Sequence, residues 1–179
     1  MSKVDISKFK CYRFGPDGST YYGETAYLNT KTGAITHEAP ADEDAKKHHK
    51  LVRHGLGMQL YSGSKNEDGV LTRYEGGWDR DKKHGDNCKA TFADGSTFQG
   101  SFKRDHMEGQ GKYEWAIGHR YEGLWRESMM DGQGKFVNGQ NGHQYTGTFK
   151  RNLYLEDKIF INPLDDEKRQ KKVIKYQEE

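Results

Sequence analysis

This 179-residue chain is short of the material that ordinary globular interiors are made from. Leu, Ile, Val and Phe together number 28, about 16%, so a conventional enzyme built around a thick aliphatic core is not expected. A fraction that low signals disorder when it comes with high net charge. Here 29 Lys+Arg meet 27 Asp+Glu, for a formal charge of only +2. That balance also argues against nucleic acid as a partner, since such binders carry a clear basic excess. The two cysteines, Cys11 and Cys88, are too few for a disulfide scaffold, and neither has a second metal ligand at suitable spacing. No stretch approaches the roughly 20 apolar residues that cross a bilayer. Residues 1–8 hold no apolar run, so a secretory signal is not expected either. The economical expectation is a soluble, cytoplasmic protein of a reducing compartment, with no cofactor and no metal.

What the chain does have is 11 Tyr, 3 Trp and 22 Gly, and they recur with a period. Tyr74-Glu75-Gly76-Gly77-Trp78 returns as Phe98-Gln99-Gly100-Ser101-Phe102, as Tyr121-Glu122-Gly123-Leu124-Trp125 and as Tyr145-Thr146-Gly147-Thr148-Phe149. The leading aromatics stand 24, 23 and 24 residues apart. Between them lies a second element: His84-Gly85-Asp86-Asn87, Glu108-Gly109-Gln110-Gly111 and Asp131-Gly132-Gln133-Gly134. An earlier copy opens at Tyr21-Tyr22-Gly23-Glu24 and closes at His54-Gly55-Leu56-Gly57 around an insertion at about 28–53.

Side chains two apart on a strand share a face, so Tyr74, Gly76 and Trp78 point one way. In the return strand Gly109, Gly111, Tyr113 and Trp115 share a face, and Gln110, Lys112 and Glu114 take the other. Each copy is therefore read as a β-hairpin with an aromatic/glycine face and a polar face. Its glycines leave slots for rings of the neighbouring strand. Turn signals fall at Asp94-Gly95, Gly118-His119 and Arg80-Asp81-Lys82-Lys83. At ~4.8 Å per strand, about five copies predict a ribbon roughly 50 Å long that is stable only as a stack. The fifth copy lacks paired glycines after Phe149 and reads as a cap. Asn162 as N-cap, Pro163 at the first helical position, and early acids with late bases predict a short C-terminal helix. The expected fold is all-β: an elongated single-layer antiparallel β-sheet over 9–157, then a tail at 158–179 with that helix.

Y-E-G-x-W followed by a glycine pair at a 23-residue period resembles the MORN (membrane occupation and recognition nexus) repeat. The resemblance covers roughly residues 9–157, most of the chain, and is best from Phe98 to Trp115 and from Tyr121 to Phe136. The second copy departs at Asn87, where glycine is expected, and the first at Thr25, where Trp or Phe is expected. The resemblance implies a single-layer sheet acting as a scaffold. Its members include radial-spoke head proteins of cilia, cytoskeletal scaffolds, and arms attached to lipid kinases. It thus points to a non-catalytic interaction module in a cytoskeletal assembly, such as a ciliary or flagellar axoneme. The alternative it implies is a peripheral protein on acidic phospholipids, with Lys168, Arg169, Lys171 and Lys172 as lipid contacts.

A lone layer has no second layer to cover its rings. Some of Tyr74, Trp78, Phe98, Phe102, Tyr121, Trp125, Tyr145 and Phe149 are therefore expected to line an open groove for a partner helix or peptide. Leu56, Met58 and Leu60 alternate onto the face that is polar in later copies. Either the insertion covers them or they form a second contact patch. Edge strands near 9–14 and 150–160 are candidates for self-association. Of the eight histidines, His54 and His84 hold equivalent repeat positions and read as turn supports, and His48-His49 reads as solvated. No nucleophile arrangement is recognisable. Cys11 and Cys88 each precede an Asp-Gly pair by six residues and read as repeat-equivalent.

Overall fold

Alternating aromatic and glycine positions leave the chain one way to bury its rings, which is to lay each hairpin beside the last. The computed structural model describes residues 9–13, 18–62 and 70–161. Its strands are β1 Cys11–Arg13, β2 Thr20–Asn29, β3 Ile35–Thr36, β4 His49–Leu60, β5 Leu71–Asp79, β6 Lys82–Lys83 and β7 Gly85–Phe92. They continue as β8 Thr97–Lys103, β9 His106–Glu114, β10 Arg120–Arg126, β11 Met129–Val137, β12 Gln144–Lys150, β13 Leu153–Tyr154 and β14 Ile159–Phe160. All join one antiparallel sheet in chain order from β1 to β14, with β3 and β6 as side pairings of β2 and β5. The sheet is open, and among the described residues the only helix is α1, Glu43–Lys46, within the insertion. The expected C-terminal helix lies outside the described residues.

Register turns the repeat into rows. Phe98, Tyr113, Tyr121, Phe136 and Tyr145 stand opposite one another on successive strands, and so do Gly100, Gly111, Gly123, Gly134 and Gly147. The rings lean over the glycine row. A Cβ at Gly134 would sit 2.3 Å from Tyr121 Oη, and one at Gly111 would sit 2.5 Å from Phe98 Cζ. The tyrosine hydroxyls then reach past the glycines to main-chain oxygens. Tyr21, Tyr74 and Tyr121 donate to the carbonyls of Glu24, Gly77 and Leu124 at 2.8, 2.9 and 3.0 Å.

The hairpin turns nearest the Trp/Phe positions share one strained form. Arg80-Asp81, Arg104-Asp105, Glu127-Ser128 and Arg151-Asn152 all have positive φ, from 47° to 75°. Paired left-handed residues suit the right-handed twist of a two-residue hairpin. For side chains other than Gly, Asn or Asp the conformation costs about 1–2 kcal/mol each.

Two departures from the sequence reading concern register. In the second copy the glycine slot is filled by Cys88, which pairs with Gly100, and not by Asn87. An extra residue between Gly85 and Cys88 makes a bulge with Asn87 at φ 56°. Cys11 and Cys88 are not equivalent either. Cys11 pairs with Tyr22 and is exposed, whereas Cys88 lies under the Tyr74 hydroxyl and is buried.

Candidate interaction surface

The ring-bearing face is a continuous edge-to-face chain. Tyr21–Trp78, Trp78–Tyr74, Tyr74–Phe102 and Phe102–Phe98 have centroids 5.7, 5.0, 5.3 and 5.3 Å apart. Phe98–Trp125, Trp125–Tyr121 and Tyr121–Phe149 follow at 5.6, 5.1 and 5.0 Å. All seven contacts are near perpendicular, the arrangement that ring quadrupoles favour. Each ring edge covers the face of the next, so a lone layer closes over its own aromatics.

That geometry corrects the expected open groove. Tyr74, Trp78, Phe98, Phe102, Tyr121, Trp125 and Phe149 are all between 0 and 5% exposed. Only Tyr145 of the eight is half-buried, with its ring edge-to-face against Tyr154 at 5.4 Å. The glycine row is the physical reason, because it lets the rings lie down along the backbone where they would otherwise stand away from the sheet. What stays partly open is a rim packed against this spine, including Tyr61, Leu71, Phe92 and Tyr145.

The second patch is also not continuous. Met58 is 3% exposed, Leu60 is half-buried, and Leu56 alone is open at 56%. A register shift between Gly23 and Thr25 interrupts pairing opposite Leu56, and its N–H goes to Glu24 Oε2 at 2.7 Å. The insertion is tied to the first residue of β4, where His49 Nδ1 meets the Ala45 carbonyl at 2.7 Å. Lys168, Arg169, Lys171 and Lys172 lie outside the described residues.

The sequence reading missed what locks copies together. The second residue of each left-handed turn grips the preceding hairpin with two bonds. Its own N–H donates to a carbonyl at 3.0 Å in each case: Asp81 to Arg53, Asp105 to Lys83, Ser128 to Met107 and Asn152 to Met130. Its side-chain oxygen accepts the N–H of that same residue, at 2.9, 2.9, 3.1 and 2.8 Å. The signal was present as Asp, Asp, Ser and Asn at intervals of 24, 23 and 24. Along the opposite edge, buried Ser19, Ser96 and His119 accept the N–H groups of Ser62, Ala116 and Gly139 at 3.2, 3.1 and 2.9 Å. The bond from Gly139 requires a bare Nδ1 on His119.

Ionisation along the first edge follows from these grips. Burial of the Asp105 carboxyl opposes its charge. Hydrogen bonds from Lys82 and the Lys83 N–H, with the Lys83 ammonium 3.1 Å away, overcome that and hold it at about 2. Asp81 is lowered in the same way, against its burial, by the Arg53 N–H and by Lys50. Burial pushes the Tyr61 phenol up to about 12, and those of Tyr21, Tyr74 and Tyr121 higher still. The phenols of Tyr21, Tyr74 and Tyr121 stay protonated and serve as hydrogen-bond donors.

The outer side of β12 is closed by the chain itself. Glu156 Oε1 accepts the Thr148 N–H at 2.8 Å, Leu155 N–H donates to the Thr148 carbonyl at 3.0 Å, and the Tyr154 hydroxyl donates to the Thr146 carbonyl at 3.2 Å. Among the described residues no group of three or more His, Cys, Asp or Glu could hold a metal ion, and no helix is long and apolar enough to cross a membrane.

Compared with known families, residues 74–97, 98–120 and 121–143 each match the MORN repeat. The three segments begin at Tyr74, Phe98 and Tyr121, the rings that lie over the glycine row. The hairpins on either side continue the same sheet outside the matched segments. Residues 74–143 therefore match three consecutive MORN repeats, which suggest a module for binding proteins or membranes.

Proposed function

We propose that this protein is a non-catalytic scaffold that holds partner proteins in a cytoskeletal assembly, on the pattern of a radial-spoke component of a ciliary axoneme. The observation that carries the reading is the closed aromatic spine, with both edges latched by hydrogen bonds. Such a ribbon is stiff without a deep core, and it offers the same groups at a pitch of about 10 Å. The axonemal setting is supported by the repeat resemblance alone.

The burial of the spine moves the docking line sideways. A partner helix or extended peptide seats on the half-buried rim of Tyr61, Leu71, Phe92 and Tyr145. Aromatic groups with one covered face give contact area at low entropic cost. Crosslinking mass spectrometry of the native assembly tests this. Crosslinks from lysines beside the rim to one recurrent partner are expected, and Tyr145→Asp should abolish them while the fold persists. A pull-down from detergent-extracted axonemes that never recovers the protein would end the axonemal version. Binding to acidic phospholipid is the other role that such repeats suggest. Salt-sensitive flotation with anionic vesicles, unaffected by Tyr145→Asp, would favour it instead.

A further inference from the structure

Among the described loops of the repeats, those at the two edges of the ribbon differ in charge. The loops at 93–96, 116–119 and 138–143 contain a single formally charged residue, Asp94. The four left-handed turns with one flanking residue on each side (79–82, 103–106, 126–129 and 150–153) contain seven Lys or Arg against four Asp or Glu. Most of those acids are already engaged. Asp81 lies 2.9 Å from Lys50 and 3.2 Å from Arg53, and Asp105 lies 2.8 Å from Lys82. Among the described residues Arg80 is paired only with Asp79, at 4.0 Å. Lys103, Arg104 and Arg151 are exposed, and no ion pair engages them among the described residues.

Residue choice at the turns is the second observation. The first turn position has φ of 47–51° at all four sites, where Asn or Gly is comfortable. Arginine holds three of the four, and all three side chains are exposed. Packing does not account for strain accepted three times at the same register. A charge presented outward does.

We propose that this turn edge docks an extended acidic segment of a partner protein whose carboxylates recur at every third residue. Successive turns lie about 10 Å apart, two strands of ~4.8 Å each. A polyproline-II segment advances ~3.1 Å per residue with three residues per turn, so every third side chain falls on one face about 9 Å from the last. Carboxylates spaced like that meet Arg80 and Arg104 on adjacent copies and Arg151 two copies further on. Glu127 holds the first turn position of the copy between Arg104 and Arg151, so one carboxylate of the register meets no arginine, and this acid, with Asp79 beside Arg80, disfavours a continuous polyphosphate or a uniformly anionic lipid surface. The four turns also contribute none of the exposed large apolar residues, Leu56, Ile117, Leu155 and Phe160, that could seat in a bilayer. The inference rests on the protein-binding reading above but uses an edge separate from the rim.

Fluorescence anisotropy of the whole chain against labelled peptides of about 15 residues tests it, at low salt where surface charge pairing is least screened. The probes are a Glu-Pro-Pro repeat, its Gln-Pro-Pro counterpart, and a peptide of the same composition with its glutamates gathered at one end. The spaced glutamate peptide is expected to bind about tenfold tighter than either control. The Arg80→Asn/Arg104→Asn/Arg151→Asn variant is expected to lose that preference while its thermal midpoint holds or rises, because Asn fits the turns better. Tyr145→Asp should leave peptide binding intact, which separates failure here from failure of the rim. Equal binding of spaced and gathered glutamates, or undiminished binding by the triple variant, would overturn the proposal. So would tighter binding of anionic vesicles or oligothymidylate through the same arginines.

Discussion

Met130 and Asn152 exchange two hydrogen bonds across a copy boundary: the Met130 N–H donates to Asn152 Oδ1 at 2.8 Å, and the Asn152 N–H donates to the Met130 carbonyl at 3.0 Å. The strand ladders of the sheet do not pair these two residues. Asn152→Ala removes the side-chain bond and leaves a strained turn without a residue suited to it. A loss of about 1–3 kcal/mol is expected by urea titration. Asn152→Gly relaxes the turn and should fall between Ala and the native residue. An Ala variant as stable as the native chain would deny the grip any weight.

Glycines of different rows respond differently to a methyl group. At Gly134 the added carbon meets the Tyr121 hydroxyl and ring, and Gly134→Ala is expected to cost about 3 kcal/mol or more. At Gly142 nothing lies within 4 Å, and only its φ of 74° resists, for about 1 kcal/mol. Comparable midpoints for the two variants would mean that the rings do not occupy the glycine row.

Acid should loosen the array through its turn aspartates. Asp105 falls from an ordinary value of 3.8 to about 2 when folded, so its contribution is complete above the first figure and fades as pH drops through the second. Asp81 acts in the same direction. Asp105→Asn keeps the turn geometry and should flatten stability between those two values, as read by denaturation at stepped pH. An unchanged slope would place the acid sensitivity elsewhere.

Closure of β12 by Glu156 predicts a change in association state. Glu156→Ala leaves the Thr148 N–H unpaired on an outer strand, the kind of edge that recruits another chain. Sedimentation velocity should show concentration-dependent dimers for the variant and less association for the native chain. Identical profiles would show that other groups guard this edge.

Much of this architecture was legible because a two-residue alternation and a period near 23 state their own geometry. The hairpins, the aromatic face and the Asp94-Gly95 turn follow from spacing alone. Burial of the spine did not follow, because it depends on how far a ring can lean. Tyr121 leans only because Gly123 and Gly134 lie abreast on neighbouring strands, and register across strands is not written in either strand. The grips at Asp81, Asp105, Ser128 and Asn152 were overlooked since three residue types share the task, each offering one side-chain oxygen. Cys88 was misplaced by one position because a bulge shifts parity without changing composition.

In an antiparallel meander the backbone bonds between strands run along the ribbon's length. A pull applied from one end to the other therefore loads those ladders in series, and they open in succession as a zipper does. The weakest are the two-residue pairings of β12 with β13 and of β13 with β14, which yield before the six-residue ladders on either side of Tyr121. Built into a moving structure, such a strip would lengthen in graded steps of one strand and recoil from whichever hairpin still held.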